Sequence, residues 1–339
     1  MDCRAVEKPA AQLSDTFGRR ISYLRLSVTD RCNLRCFYCM GKDVKFLPHA
    51  DLLSLEELER LAALFVQLGV RKLRLTGGEP LARPGVMQLV ARLGERLAAG
   101  EFDEFTLTTN GTLLIRHVDA LAAAGMRRIN VSLDTLDANT FRNIAGQGEL
   151  AEVLAGIEAA RAAGLAVRIN TVALAGINDH EIDRMLAWCG ERGCDMALIE
   201  LMPLGGCGRP GARHYLPLDY LQRRLAANWT LQPLDDKGSG PAQYVRVAET
   251  GRRLGFITPM SHSFCLHCNR VRLSCTGQLV LCLAREGGMD LRALLRGGAD
   301  DAAIAGVIGA AIAMKPLEHA LNRRDTPTEE TRRMWQVGG

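Results

Sequence analysis

From Ile21 onward the chain alternates short apolar runs with longer stretches whose apolar residues recur every three to four positions, and this rhythm persists for nearly two hundred residues. The short runs are Ser22 to Thr29, Lys72 to Thr76, Phe105 to Thr109, Arg128 to Leu133, Ala166 to Ala173 and Met196 to Glu200. Each is bounded by Gly, Asp or Asn, and they read as six strands. Between the first two, Ser54 to Leu68 offers a Ser N-cap, Glu57 three residues on and a Gly69 stop, which predicts an amphipathic helix. Val86 to Ala98, Ile115 to Ala124, Leu150 to Ala163 and Asp179 to Arg192 repeat the pattern. A βα series of this kind demands a parallel sheet with right-handed crossovers. Six units fall short of the eight in a closed barrel, so the expected fold class is α/β, an incomplete (βα)6 TIM-type barrel with a smaller C-terminal α+β region.

The rhythm stops after Met202 at a Gly/Pro-rich stretch, LGGCGRPGARHYLPL, and the expected boundary lies there. The organisation read from the sequence is an N-terminal extension over 1–20, the barrel over 21–203 and a C-terminal region over 204–339. The last of these carries a helix near Leu218 to Ala227, strands at Tyr244 to Ala248, Arg253 to Thr258, Val271 to Ser274 and Gln278 to Leu283, and a helix from Asp300 to Met314. Its apolar part, from Ala302, is shorter than the ~20 residues of a membrane span. The first residues, MDCRAVEKPAAQLSD, mix charges and prolines without an apolar segment, so the expected location is cytoplasmic. A composition with 47% hydrophobic and 24% charged residues excludes a disordered chain. The net charge of +4, without a basic block, argues against nucleic acid as a partner. Of the 42 basic residues 36 are Arg, so an arginine carries information here only through its neighbours.

Eleven cysteines in a chain of this location point to metal or catalysis rather than disulfides. Directly after the first strand, DRCNLRCFYCM sets Cys32, Cys36 and Cys39 at C-x3-C-x2-C spacing, with Tyr38 beside the last. A structural zinc wants four ligands, whereas a [4Fe–4S] cluster held by three cysteines keeps one iron open to an exogenous donor. At the end of the second strand, Thr76-Gly77-Gly78-Glu79-Pro80 offers a backbone that another group can approach closely. Later strands end in Thr108-Thr109-Asn110-Gly111 and Ser132-Leu133-Asp134, small polar groups suited to a sugar or carboxylate. A second constellation, SHSFCLHCNRVRLSCTGQLVLCLA, holds Cys265 and Cys268 as C-x2-C and Cys282 after thirteen intervening residues. Cys275 and His267 are candidate fourth ligands, which keeps a zinc-binding nucleotide module open as a reading. Arg270 and Arg272, two cations on one face of a strand beside thiolates, favour an anionic substrate instead.

The first loop resembles the signature of radical S-adenosylmethionine (SAM) enzymes, in which SAM chelates the open iron and yields a 5′-deoxyadenosyl radical. LRLSVTDRCNLRCFYCM, KLRLTGGEPL, RRINVSLD, FCxxCNRxRL with its third Cys, and the terminal Gly-Gly together resemble, from about Gly18 to Gly339, the GTP 3′,8-cyclase family. The resemblance implies a lyase of molybdenum cofactor (molybdopterin) biosynthesis, acting on GTP with SAM and two [4Fe–4S] clusters. It assigns Cys32, Cys36 and Cys39 to one cluster and Cys265, Cys268 and Cys282 to the other. Tyr38, Gly77, Gly78, Glu79, Ser132 and Met202 fall to SAM. Arg25, Lys72, Arg74, Thr108, Arg168, Arg270, Arg272 and the tail glycines Gly338 and Gly339 fall to GTP, with Arg25, Arg270 and Arg272 also nearest the chemistry. Arg168 stands where the family usually has Lys, and a planar fork meets phosphate differently from an ammonium. The resemblance further implies a reducing electron donor and cyclic pyranopterin monophosphate synthase as the next enzyme, and a homodimer is compatible with it. A peptide maturase with an auxiliary cluster is the rival within the superfamily.

Overall fold

The computed structural model describes residues 12–40, 44–204, 213–234, 240–285, 287–319 and 334–338. The six expected strands are present as β1 (Tyr23–Ser27), β2 (Lys72–Thr76), β3 (Glu104–Thr109), β4 (Arg128–Ser132), β5 (Ala166–Ala173) and β6 (Asp195–Glu200), paired in parallel in chain order. The remaining strands are β7 (Leu231–Pro233), β8 (Gln243–Val247), β9 (Arg253–Ile257), β10 (Arg270–Leu273), β11 (Gln278–Val280) and β12 (Met289–Asp290). They join the same sheet from both edges: β10 runs parallel beside β1, and β9 parallel beside β6. The antiparallel strands β11 and β12 continue one edge, and β8 and β7 the other. Eight neighbouring strands are therefore parallel, as in a full barrel, yet the order ends at β12 and β7 and the sheet stays open.

Strand alternation sorts the side chains into two layers. Leu24, Leu26, Leu73, Leu75, Leu107, Ile129, Val131 and Ile169 belong to one continuous apolar core with the helices outside the sheet. The helix Leu55–Gln67 shows how the sequence makes such a layer. Ser54 and Glu57 form the expected capping box, with Ser54 Oγ accepting from Glu57 N at 3.1 Å and Glu57 Oε2 from Ser54 N at 2.7 Å. Leu58, Leu61 and Phe65 then fall on one buried face. Removing one such side chain, as in Leu61→Ala, costs about 2–5 kcal/mol. The alternate positions, Tyr23, Arg25, Ser27, Lys72, Arg74, Thr76, Asn130 and Arg168, are equally buried but polar or charged. A polar interior of that kind costs stability unless something binds there.

Candidate functional site

The loop after β1 is held by backbone contacts on two sides. Gly78 N donates to Thr29 O at 2.9 Å and Glu79 N to Arg31 O at 2.8 Å, so the Gly-Gly-Glu turn after β2 lies flat against the start of the cysteine loop. The contact explains both glycines. A β-carbon on Gly77, whose φ is +150°, would sit 2.6 Å from Thr29 O, and one on Gly78 would sit 2.4 Å from Arg31 O. From the other side, Arg35 N and Phe37 N donate to Ala145 O and Ile144 O at 2.8 and 3.0 Å. These two carbonyls end a short helix, Ala138–Ala145, that the apolar pattern did not announce. Cys39 N and Met40 N both donate to Cys36 O, a turn that folds the loop back on itself. Asn110 Nδ2 lies 3.8 Å from Cys32 Sγ.

Cys32, Cys36 and Cys39 border a cavity with about 1100 Å³ of atom-free space, together with Tyr38, Gly77, Gly78, Ser132 and Met202. Burial, then Glu79, pushes the Cys32 thiol up to about 11, and burial with Asp134 and the other two sulfurs pushes Cys36 up as well. Asp134 is itself pushed up to about 6 by burial; Tyr38 Oη donates to it at 2.6 Å and Val172 N at 2.9 Å. Thiols so disposed ionise when a cation takes their protons' place. The donors form an all-sulfur set of three within one loop, which fits an iron–sulfur cluster with one open iron. Among the described residues, no three Cys, His, Asp or Glu side chains close on a point as the ligands of a single ion do.

Glu79 is fully buried and does not reach this cavity. Its carboxylate accepts from Asn110 N at 2.7 Å, Thr109 Oγ1 at 2.8 Å and Leu81 N at 3.0 Å, tying the ends of β2 and β3 together. Burial pushes it up to about 7, with those three donors opposing. Thr108, expected with the triphosphate ligands, borders the cysteine-loop cavity instead.

A second cavity of similar size is bordered by Cys265, Cys268 and Cys282 and by Arg25, Arg74, Arg168, Arg270 and Arg272. The register makes a grid of cations. Arg272, Arg25 and Arg74 are aligned across β10, β1 and β2, and one step earlier Arg270, Tyr23 and Lys72 form a second row on the same face. Arg74 Nε and Arg168 Nε are buried without a hydrogen-bond partner among the described residues. Burial pushes Arg74 down to about 9, with Arg25 and Arg168 adding to the fall against Tyr23, and Arg272 is pushed down likewise. A guanidinium keeps its proton, so this depression expresses how strongly the grid attracts an anion. The same cations act on neighbouring acids. Burial alone would raise Tyr23, but Arg74, Arg25, Lys72 and Arg270 bring it down to about 8. Burial would raise Cys268 too, and Arg270 and Lys315 bring it down to about 7. Lys72 lies outside both cavities; it pairs with Glu104 at 2.6 Å and sits 5.0 Å from the centre of the Tyr23 ring. Ile199 and Met202 border both cavities, which therefore adjoin.

The tail reaches the same place. Trp335 borders the first cavity, while Gly338 O accepts from Arg25 and Arg272 on the floor of the second. Gly338 has φ +74°, and a β-carbon there would lie 1.9 Å from Thr76 Oγ1, so the position admits only glycine. Gly339 lies outside the described residues. Sequence reasoning missed Trp335, Tyr23, Asn170, Arg19 and Lys315, all of which border the cavities or act on residues that do. Tyr23 and Asn170 fall on the inward alternation of β1 and β5 and were open to discovery by that count; Arg19 and Lys315 carry no local signal.

The family model described as Radical SAM superfamily matches residues 26–189, and that described as Molybdenum Cofactor Synthesis C matches 194–321. A protein of Rhodopseudomonas palustris (strain TIE-1) named GTP 3′,8-cyclase is 53% identical over 98% of this chain and 97% of its own length. One of Rhizobium meliloti (strain 1021) with the same name is 52% identical over 100% of this chain and 97% of its own. Among solved structures, Streptococcus suis SuiB bound to S-adenosylmethionine superposes with a TM-score of 0.64 at 16% identity, covering 94% of this chain and 78% of that one. At that identity the likeness concerns the fold.

Proposed function

The chain belongs to the GTP 3′,8-cyclase family of radical SAM enzymes, and from that premise we propose that its first cavity takes SAM and one [4Fe–4S] cluster while the second takes GTP and another. The reaction is the conversion of GTP to (8S)-3′,8-cyclo-7,8-dihydroguanosine 5′-triphosphate, the opening step of molybdenum cofactor biosynthesis. The observation that carries the assignment of sites is the adjoining pair of cavities, each with three cysteines, only one of which is lined with arginine.

Cys32, Cys36 and Cys39 hold the first cluster, and Tyr38, Gly77, Gly78, Ser132 and Met202 surround SAM. Glu79 serves from behind by fixing the β2 and β3 ends. A cluster with SAM on its open iron supplies a 5′-deoxyadenosyl radical, and the protein's work is to orient it. Arg25, Arg74, Arg168, Arg270 and Arg272 would take the triphosphate as paired forks, and Cys265, Cys268 and Cys282 would hold the second cluster. The ribose then lies at the border marked by Ile199 and Met202, where its C3′–H faces the first cavity. Fixing that geometry is worth several kcal/mol of the barrier. Gly338 closes the site from the tail. A reducing donor and cyclic pyranopterin monophosphate synthase stand before and after this step, and a homodimer is compatible with it. The peptide-maturase and zinc-module readings are not favoured: the matched molybdenum-cofactor segment spans the second trio, and an arginine-lined pocket is wasted on a neutral peptide.

The test is anaerobic incubation with SAM, dithionite and GTP deuterated at C3′. Deuterium in 5′-deoxyadenosine together with a cyclised nucleotide is expected. Deoxyadenosine formed without consumption of GTP would leave the radical SAM fold standing and defeat the substrate assignment.

A further inference from the structure

Behind the second cysteine trio lies a buried ammonium that the reaction does not explain. Lys315, which follows the C-terminal helix Asp301–Ala313, is 3% exposed. Its Nζ donates to Arg270 O at 3.0 Å and to Leu281 O at 2.5 Å. Arg270 is two residues beyond Cys268, and Leu281 immediately precedes Cys282, so one side chain clamps the two segments that present these sulfurs. Arg19 is paired with Asp15 at 2.5 Å, and Arg270 and Arg272 border the place assigned to phosphate, Arg270 acting on Cys268 as well. Lys315 Nζ donates to two neutral carbonyls, and among the described residues no carboxylate pairs with it.

We propose that Lys315 is a positioning residue of the second cluster, its fixed positive charge and its two carbonyl contacts holding the Cys268 and Cys282 segments and favouring the reduced form of the cluster. The inference rests on the two-cluster reading above. Three thiolates on a doubly positive cluster core leave a net negative charge, and reduction adds another. A buried cation therefore stabilises the reduced form more than the oxidised one and raises the potential, an effect that charge near a cluster is known to exert. Arg19, neutralised and bonded to Cys265 O at 2.8 Å, supports the third cysteine sterically.

The experiment compares the full-length protein with Lys315→Gln, which keeps amide donors but no charge, and Lys315→Arg, which keeps the charge. Each is reconstituted anaerobically, its iron counted, and both clusters titrated by EPR against a dithionite-poised mediator series. In Lys315→Gln, the reduction equilibrium of the second cluster is expected to fall at least tenfold, about 59 mV for one electron. The first cluster serves as the internal reference and stays unchanged, and Lys315→Arg keeps the parent value. Selective loss of the second cluster in Lys315→Gln, with retention in Lys315→Arg, would support the proposal equally. An unshifted potential in Lys315→Gln with full iron would overturn it, as would equal loss of the cluster in both variants, which marks packing alone. A parent protein with iron at the first trio only would refute the two-cluster reading itself.

Discussion

The two cysteine trios sit over the same sheet, in adjoining cavities, yet carboxylates act on the first and a cluster of arginines and a lysine on the second. The first trio is fixed by backbone: glycines at 77 and 78 let the loop lie against β2, and the helix Ala138–Ala145 grips it from the far side. Its acidic neighbours are Glu79 and Asp134, with Arg35 Nη1 donating to Cys32 O at 2.6 Å, and burial together with these carboxylates pushes the Cys32 and Cys36 thiols up. The second trio is fixed by cations, Arg19 and Lys315, and faces a grid of arginines that pulls Cys268 down, while burial pushes Cys282 up. The same three-sulfur donor set is thus tuned for different company. Acidic surroundings suit a ligand with a positive sulfonium, and cationic ones suit a polyphosphate. The tail spans the difference, with Trp335 on one cavity and the Gly338 carbonyl on the other.

Breaking that span should have the largest effect. Gly338→Ala places a methyl against Thr76 Oγ1 in a left-handed backbone, so the tail cannot dock. Cyclised product is expected to fall by at least about a hundredfold, with iron content and spectra of both clusters retained, since a misplacement of about 1 Å at a reacting centre costs that much. Normal turnover would show that the tail contributes nothing.

The contrast between trios can be sharpened after the clusters are removed. With its thiol near 7, Cys268 is about half thiolate at pH 7, whereas Cys32, near 11, is almost wholly protonated. After allowing for the lower nucleophilicity of the weaker base, iodoacetamide should modify Cys268 about a hundredfold faster, as read by mass spectrometry of digests. The sign fixes the pH dependence. A depressed thiol gains reactivity across pH 6–8 and levels off above, while Cys32 keeps gaining up to about pH 11. Equal rates at Cys268 and Cys32 would erase the electrostatic difference.

A smaller effect is expected from Arg74→Met. One lost charge-assisted contact weakens GTP binding by about tenfold to a hundredfold. The same change removes a buried, partly unsatisfied cation, so the cluster-free protein should gain about 1 kcal/mol of stability. Calorimetric titration and thermal unfolding read the two halves. Tighter binding or a loss of stability would mean that Arg74 serves structure rather than phosphate.

Much of this was legible in the chain. Short apolar runs bounded by Gly, Asp or Asn marked the strands from β1 to β6, and C-x3-C-x2-C spacing with Gly77-Gly78 marked the first site because both are local patterns. The sequence does not tell which strands pair when they are distant in the chain. Nothing in Arg270 to Leu273 says that it lies beside β1 and so aligns Arg272 with Arg25, since that pairing is decided by the closing geometry of the whole sheet. The helix Ala138–Ala145 is short, with only Phe141, Ile144 and Ala145 buried, too few to raise a periodic signal. Glu79 was expected at the ligand because its motif points there; its three donors, from the end of β3 and the turn after β2, hold its carboxylate inside the protein. Lys315 was invisible because one lysine after a helix resembles any other, and its burial is a property of the assembled segments.

The account stands on two separate three-sulfur sites, and counting iron in trio variants tests it most directly. Anaerobically reconstituted protein should hold about eight irons per chain. Cys32→Ser, Cys36→Ser and Cys39→Ser combined should leave about four, with Mössbauer parameters of the second site alone. Cys265→Ser, Cys268→Ser and Cys282→Ser combined should leave about four of the other kind. Iron that disappears wholly with one trio, or a parent protein that binds zinc at the second in place of iron, would contradict it.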